Sequence, residues 1–209
     1  MTRIGVVGDV HACDAALERM LDHLRGLEVD LLCRVGDIVN GPGDPDRCVE
    51  LLEREHVLTV CGNHDRWLLE GQLMFPDAHR IEDLAPATVA YLRALPPSIE
   101  LDRAPGVLLC HGLAGNDMDG ITADDYGYAL EANDDLQGLL RRGRFRLILK
   151  GHRHRPAIWS VGGVTLADVG SLTDPAATCA ALVDADEHTI MPFALTAAEV
   201  VPASAPRTY

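Results

Sequence analysis

Five short blocks constrain this chain more than anything else in it: Gly8-Asp9-Val10-His11, Gly36-Asp37, Gly62-Asn63-His64-Asp65, His111-Gly112 and Gly151-His152-Arg153-His154. Each follows a mostly apolar run, at 4–7, 31–35, 57–61, 107–110 and 147–149. Short apolar runs bounded by turn residues read as strands buried on both faces, the pattern of parallel sheets. Every block then stands at the C-terminal end of a strand. If the strands lie side by side in one sheet, these ends share one edge, where open α/β sheets gather their sites. The side chains on offer are Asp, His and Asn, oxygen and nitrogen ligands suited to first-row divalent metals.

The first third reads as a βαβαβ unit. A strand at 3–8 leads into a helix at 14–26, in which Leu17, Met20, Leu21 and Leu24 recur at helical spacing. After a strand at 30–35, Asp44 reads as an N-cap with Pro45 at the first helical position, opening a helix that runs to Arg54. A strand at 57–61 closes the unit, and its helical crossovers require a right-handed layout. Beyond it come a helix near 66–72, a loop through Phe75-Pro76-Asp77, a helix near 86–95 stopped by Pro96-Pro97, and a strand at 106–111. Residues 112–140 carry seven acidic side chains and no Lys or Arg, whereas 141–155 is basic throughout and has no acid. The last third looks antiparallel: 157–161, a Gly162-Gly163 hairpin, 164–168, 179–184 and about 188–195. The expectation is a single domain over 1–199, with a frayed tail at 200–209.

Charge and cysteine narrow the function classes. With 18 basic and 32 acidic residues the net charge is −14, which argues against general binding to nucleic acid or anionic membranes and suits small-molecule substrates. No apolar run is long enough to span a bilayer. The chain enters its first strand at once, so the expectation is a cytoplasmic protein without a signal peptide. The cysteines Cys13, Cys33, Cys48, Cys61, Cys110 and Cys179 form no C-x-x-C pair and read as small buried hydrophobes in a reducing compartment. Cys13, just after the first block, could instead line the pocket.

As chemistry, Asp9 and His11 can converge on one ion from a turn, and Asp37 could bridge two cations with its two carboxylate oxygens. Asn63 offers a neutral carbonyl oxygen. His111, His152 and His154 complete eight contacts for two ions, counting Asp37 twice. Arg66, Arg153 and Asn40 are candidates to touch the substrate.

The five blocks, in this order, resemble the signature of the calcineurin-like metallophosphoesterase superfamily: Asp-x-His, Gly-Asp, Gly-Asn-His-Asp/Glu, a lone His, then Gly-His-x-His. The segment 36–46 and the strand ending Val169-Gly170-Ser171 look most like its small bacterial and archaeal phosphodiesterase-type branch. The resemblance implies an α/β fold, a two-sheet αββα sandwich with a parallel βαβαβ first half and largely antiparallel C-terminal strands. It implies two divalent ions, manganese first, with iron, zinc, cobalt or nickel as alternatives. Asp9, His11, Asp37 and His154 would hold the first, and Asp37, Asn63, His111 and His152 the second. By the same resemblance His64 is no ligand but a proton donor or phosphate contact that faces the substrate, partnered by Asp65 or another carboxylate. The implied reaction is in-line attack by a metal-bridging hydroxide on a small phosphodiester or phosphomonoester. Other members suggest a dinucleoside polyphosphate or protein phosphatase. Against the latter, Asn40-Gly41-Pro42 stands where that branch has Arg-Gly-Pro, and the third block ends in Asp65 rather than Glu. From a different class, the fold also serves as a non-catalytic protein-binding scaffold, but a scaffold need not keep a complete ligand set together with His64. The acidic stretch 112–140, if it borders the site, would repel polyanions. Substrate and oligomeric state stay open.

Overall fold

Alternation within the apolar runs assigns the layers. Successive strand residues face opposite sides, and the buried side chains divide accordingly. Ile4, Val6, Cys33 and Val35 share a core with Val107, Leu109, Leu147 and Leu149. Val7 and Leu32 turn to a second core with Leu17, Leu21, Leu51 and Leu52, and Leu108, Cys110 and Ile148 to a third with Leu136 and Leu139. One core thus lies between two sheets, and one lies under the helices on each outer face, as an αββα sandwich requires.

The structure, a computed structural model, describes residues 2–174 and 176–209. In chain order its elements are β1 (Arg3–Val7), α1 (Asp14–Gly26), β2 (Leu31–Arg34), α2 (Pro45–Arg54), β3 (Leu58–Thr59), α3 (Asn63–Leu69), α4 (Pro86–Ala94), β4 (Ser98–Glu100), β5 (Val107–Cys110), α5 (Tyr128–Glu131), α6 (Asp134–Arg142), β6 (Leu147–Lys150), β7 (Ala157–Val161), β8 (Val164–Asp168), β9 (Thr178–Asp184), β10 (Thr189–Leu195), β11 (Val200–Pro202) and β12 (Arg207–Thr208). One sheet runs β11-β10-β9-β1-β2-β3, with β12 also on β10. Within it β1, β2 and β3 are parallel, while β9, β10 and β11 add antiparallel. The other sheet runs β4-β5-β6-β8-β7, with β5, β6 and β8 parallel and an antiparallel strand at each edge. No helix among the described residues is long and apolar enough to cross a membrane.

Four local expectations change. The blocks do not share one sheet: three follow β1, β2 and β3, and two follow β5 and β6 of the other sheet. The strand expected at 57–61 shrinks to two residues, because Cys61 donates its N–H to Pro96 instead of continuing along β2. The helix expected near 66–72 begins three residues earlier, at Asn63, since the Asp65 carboxylate accepts the Gly62 N–H and closes the first turn. Residues 200–209 are no frayed tail: β11 and β12 both pair with β10. By contrast α2 is as expected, with Asp44 Oδ1 accepting the N–H groups of Asp46 and Arg47.

Candidate metal centre

The loops after the strands are bent hard. His11, Asp37, Asn40, His152 and His154 all hold positive φ, between 45° and 77°. Left-handed backbone is uncommon and costly for residues other than glycine, and it clusters where surrounding structure over-determines a site. Here it turns neighbouring side chains inward. Glycine serves close approach at two of these bends. A Cβ on Gly62 would collide with Asp37 Oδ1, and a Cβ on Gly151 would collide with Asp9 Oδ1.

The bends bring all seven expected ligands together across the two sheets. One ligand atom from each of Asp9, His11, Asp37 and His154 lies within 4.8 Å of the others. His11 Nε2 sits 2.9 Å from His154 Nε2, and His154 Nε2 sits 3.1 Å from Asp9 Oδ2. Beside them, Asn63 Oδ1 is 2.8 Å from His111 Nε2 and 2.9 Å from His152 Nδ1. Asp37 Oδ2 joins the groups, 3.6 Å from His11 Nε2 and 3.3 Å from His111 Nε2. The other oxygen, Oδ1, accepts the His64 N–H at 2.9 Å. Asp37 is thus the carboxylate that stands next to both groups, and it would be the residue shared between two ions.

Donor chemistry shows that this cluster fits cations. His111 Nδ1 lies 2.8 Å from the Val35 carbonyl and must donate to it, as His11 Nδ1 does to Val39 at 3.2 Å. In the neutral rings each Nε2 then carries a lone pair. Once an ion displaces the His111 Nε2 proton, its lone pair and Asn63 Oδ1, 2.8 Å away, are two donors suited to one cation. Asp9 Oδ1 is buried with no hydrogen-bond partner among the described residues. Backbone carbonyls that fix the tautomer of a ligating histidine are the usual support of such sites.

The same crowding shifts the ionisation of these groups. Burial opposes charge on Asp37, but His111, His11 and His64 hold its carboxyl well below the usual range. Burial also opposes charge on His111, yet Asp37 and Asp9 outweigh it and lift the imidazole to about 9. His152 falls to about 4 through burial and the neighbouring His111. Behind the site, Lys150 and Asp168 form a buried pair at 3.6 Å, and burial raises Asp168 to about 6. The Val169-Gly170-Ser171 turn holds Asp9 across the sheets: Asp9 N donates to Gly170 O, and Asp9 O accepts from Leu172 N and Ser171 Oγ.

Two expected roles change on inspection. Asp65 does not partner His64. Its Oδ1 accepts the N–H groups of Ile38 and Val39, and its Oδ2 that of Gly62. The fully buried Arg34 guanidinium, without a hydrogen-bond partner among the described residues, offsets the burial that raises the Asp65 carboxyl. Asp65 is thus a brace between the Asp37 and Asn63 loops, a job that a strand-end motif does not reveal. The partner of His64 is Asn40, whose Nδ2 lies 3.2 Å from His64 Nδ1. Asn40 Oδ1 accepts the His79 N–H, which fixes the amide with its NH₂ toward His64. An NH₂ can only donate, so His64 Nδ1 accepts and the neutral ring carries its proton on Nε2. Arg66 is held by Asp117 at 2.6 and 3.0 Å and by Glu70 at 3.1 Å. Arg153 packs over Gly120. The acidic stretch thus borders the site through Asp117 and Gly120, and it also pairs Asp124 with Arg155. All six cysteines are free, and burial followed by Asp14 raises the Cys13 thiol.

Comparison with known proteins bears on the family and the fold. The model of the calcineurin-like phosphoesterase superfamily domain matches residues 2–188. The protein MJ0912 of Methanocaldococcus jannaschii is 35% identical over 66 residues, which span 32% of this chain and 27% of that relative. The crystal structure of PH1004 from Pyrococcus horikoshii superposes with a TM-score of 0.76 at 18% identity, covering 98% of this chain and 88% of the other. A metallophosphoesterase from Sphaerobacter thermophilus superposes at 0.63 with 25% identity, covering 88% of this chain and 84% of that one.

Proposed function

The chain belongs to the calcineurin-like phosphoesterase superfamily, and on that premise we propose that it hydrolyses a small phosphodiester or phosphomonoester with two divalent ions. Asp9, His11, Asp37 and His154 would hold one ion, and Asp37, Asn63, His111 and His152 would hold the other. Manganese is the first candidate, before iron, zinc, cobalt and nickel. Such ions supply Lewis acidity toward a phosphoryl group. The observation that carries the reading is Asp37 Oδ2, within 3.6 Å of a histidine from each ligand group.

The chain's own residues do the rest. Asn40 holds His64 with Nε2–H outward, where that N–H hydrogen-bonds the leaving oxygen and eases its developing charge as the ester bond breaks. Asp65 keeps the Asp37 and Asn63 loops in register. The substrate is a small ester in a cytoplasmic setting, not nucleic acid or a membrane surface.

A metal-reconstitution panel tests the reading, with bis-p-nitrophenyl phosphate, p-nitrophenyl phosphate and common nucleotides as substrates. Chelation should abolish hydrolysis and Mn²⁺ restore it, and Asp37→Ala should lose both ions by elemental analysis. Full activity in chelator, or two ions retained in that variant, would overturn it.

A further inference from the structure

Leu73, Met74 and Phe75 are consecutive, large and apolar, and they are 47%, 52% and 46% exposed. Three adjacent exposed apolar residues are a fault in a soluble surface unless they serve a function. They are not loosely placed. Their loop is tied down by Gln72 N to Trp67 O and Ala78 N to Phe75 O. The reciprocal bonds of Asn40 with His79 secure its far end. The Phe75 ring stacks on the His64 ring, with centres 5.5 Å apart and planes 14° apart. Trp67 flanks the same imidazole at 4.9 Å. The proton donor is thus set into an aromatic wall that continues outward as exposed apolar surface.

The other side differs. Residues 112–140 bring seven acids and no base. Asp117 occupies Arg66, and Asp124 occupies Arg155. These arginines are spent on carboxylates, so neither is free to hold a further phosphate.

We infer that the leaving group is an uncharged apolar or aromatic moiety, seated against Phe75 with Leu73 and Met74. The inference rests on the reading of His64 as donor to the leaving oxygen. What is bonded to that oxygen must pass beside His64, and therefore along Phe75. Dinucleoside polyphosphates and other polyanions are excluded by the acidic side, whereas aryl and apolar alkyl esters of a single phosphate are accepted.

Calorimetric titration of the manganese-loaded protein tests this without hydrolysis. Benzylphosphonate and ethylphosphonate are compared, one aromatic and one small beside the same head group. Benzylphosphonate should bind about tenfold tighter, as an aromatic contact with its burial supplies. Phe75→Ala should bring the two within about threefold, and Phe75→Tyr should keep the preference. Equal affinities in the unmodified protein, or a preference unchanged in Phe75→Ala, would overturn the inference. Hydrolysis of p-nitrophenyl phosphate is followed in parallel. A preference without any hydrolysis would sink the phosphoesterase reading and leave the apolar platform standing.

Discussion

His64 illustrates how one residue's role is set by its neighbours. Burial lowers its pKa, and Asn40 occupies its Nδ1. Replacement by Ala should retain both ions, since His64 is not among the ligand atoms, and slow turnover by about 10²–10⁴-fold. The loss should be larger for alkyl esters than for nitrophenyl esters, whose leaving group needs little protonation. Equal losses would leave His64 only a positioning role. His111 makes a pH prediction. In the metal-free chain its pKa is lifted to about 9, whereas an ion requires the free lone pair. Loading at pH 7 must therefore expel a proton from Nε2, and affinity should rise roughly tenfold per pH unit until about pH 9. The linkage sign agrees. A raised histidine stabilises the metal-free fold below its unfolded pKa, and that contribution fades as pH rises through about 9. Calorimetry in buffers of different ionisation enthalpy would detect the proton, and a pH-independent affinity would contradict it. That the seven candidate ligands would meet was legible in the sequence because each follows an apolar run. The role of Asp65 was not, because its three partners are backbone N–H groups that no side-chain pattern records.

At the scale of elements, α3 and the loop after β2 act as one unit. Asp65 ties the helix start to Ile38 and Val39, and Asp37 Oδ1 returns the favour by accepting the His64 N–H. Asp65→Ala would strand three buried N–H groups beside the buried Arg34 charge. We expect a loss of roughly 3–5 kcal/mol in urea unfolding, with weakened metal binding. Asp65→Asn, which keeps one acceptor, should fall between. A fully stable Ala variant would refute the brace. The same unit shows why boundaries misread. Gly62 looks like a loop residue, and only the side-chain cap from three residues on makes Asn63 helical. Helix α2 was placed correctly because its cap, Asp44 followed by Pro45, is local. The terminal strands β11 and β12 were missed because pairing with β10 is a property of the sheet, not of a Pro- and Ala-rich segment.

At the scale of the molecule, the ligands fall on both halves of the sandwich. Asp9, His11, Asp37 and Asn63 hang from the β1-β2-β3 sheet, and His111, His152 and His154 hang from the other. Bound ions would clamp the two together. Chelation should therefore lower Tm by roughly 5–10 °C, the shift for a ligand held far above its Kd in a chain of this size. An unchanged Tm would mean the halves are fixed without metal. The two-sheet split of the blocks was not visible in local pattern, since apolar runs do not say which run is a neighbour. One pairing has a further consequence. Strand β1 lies between β2 and β9, with Ile4 opposite both Leu31 and Val183. During synthesis β1 leaves the ribosome well before β9, the neighbour on one side of it. Until residues 152–154 have been made, Asp9, His11 and Asp37 are present without His152 and His154, and β9 follows later still. On the proposed ligand set a nascent chain would therefore carry an incomplete chelating site until its second sheet is made, and it would capture ions only as a late, long-range closure, the slow kind of folding step.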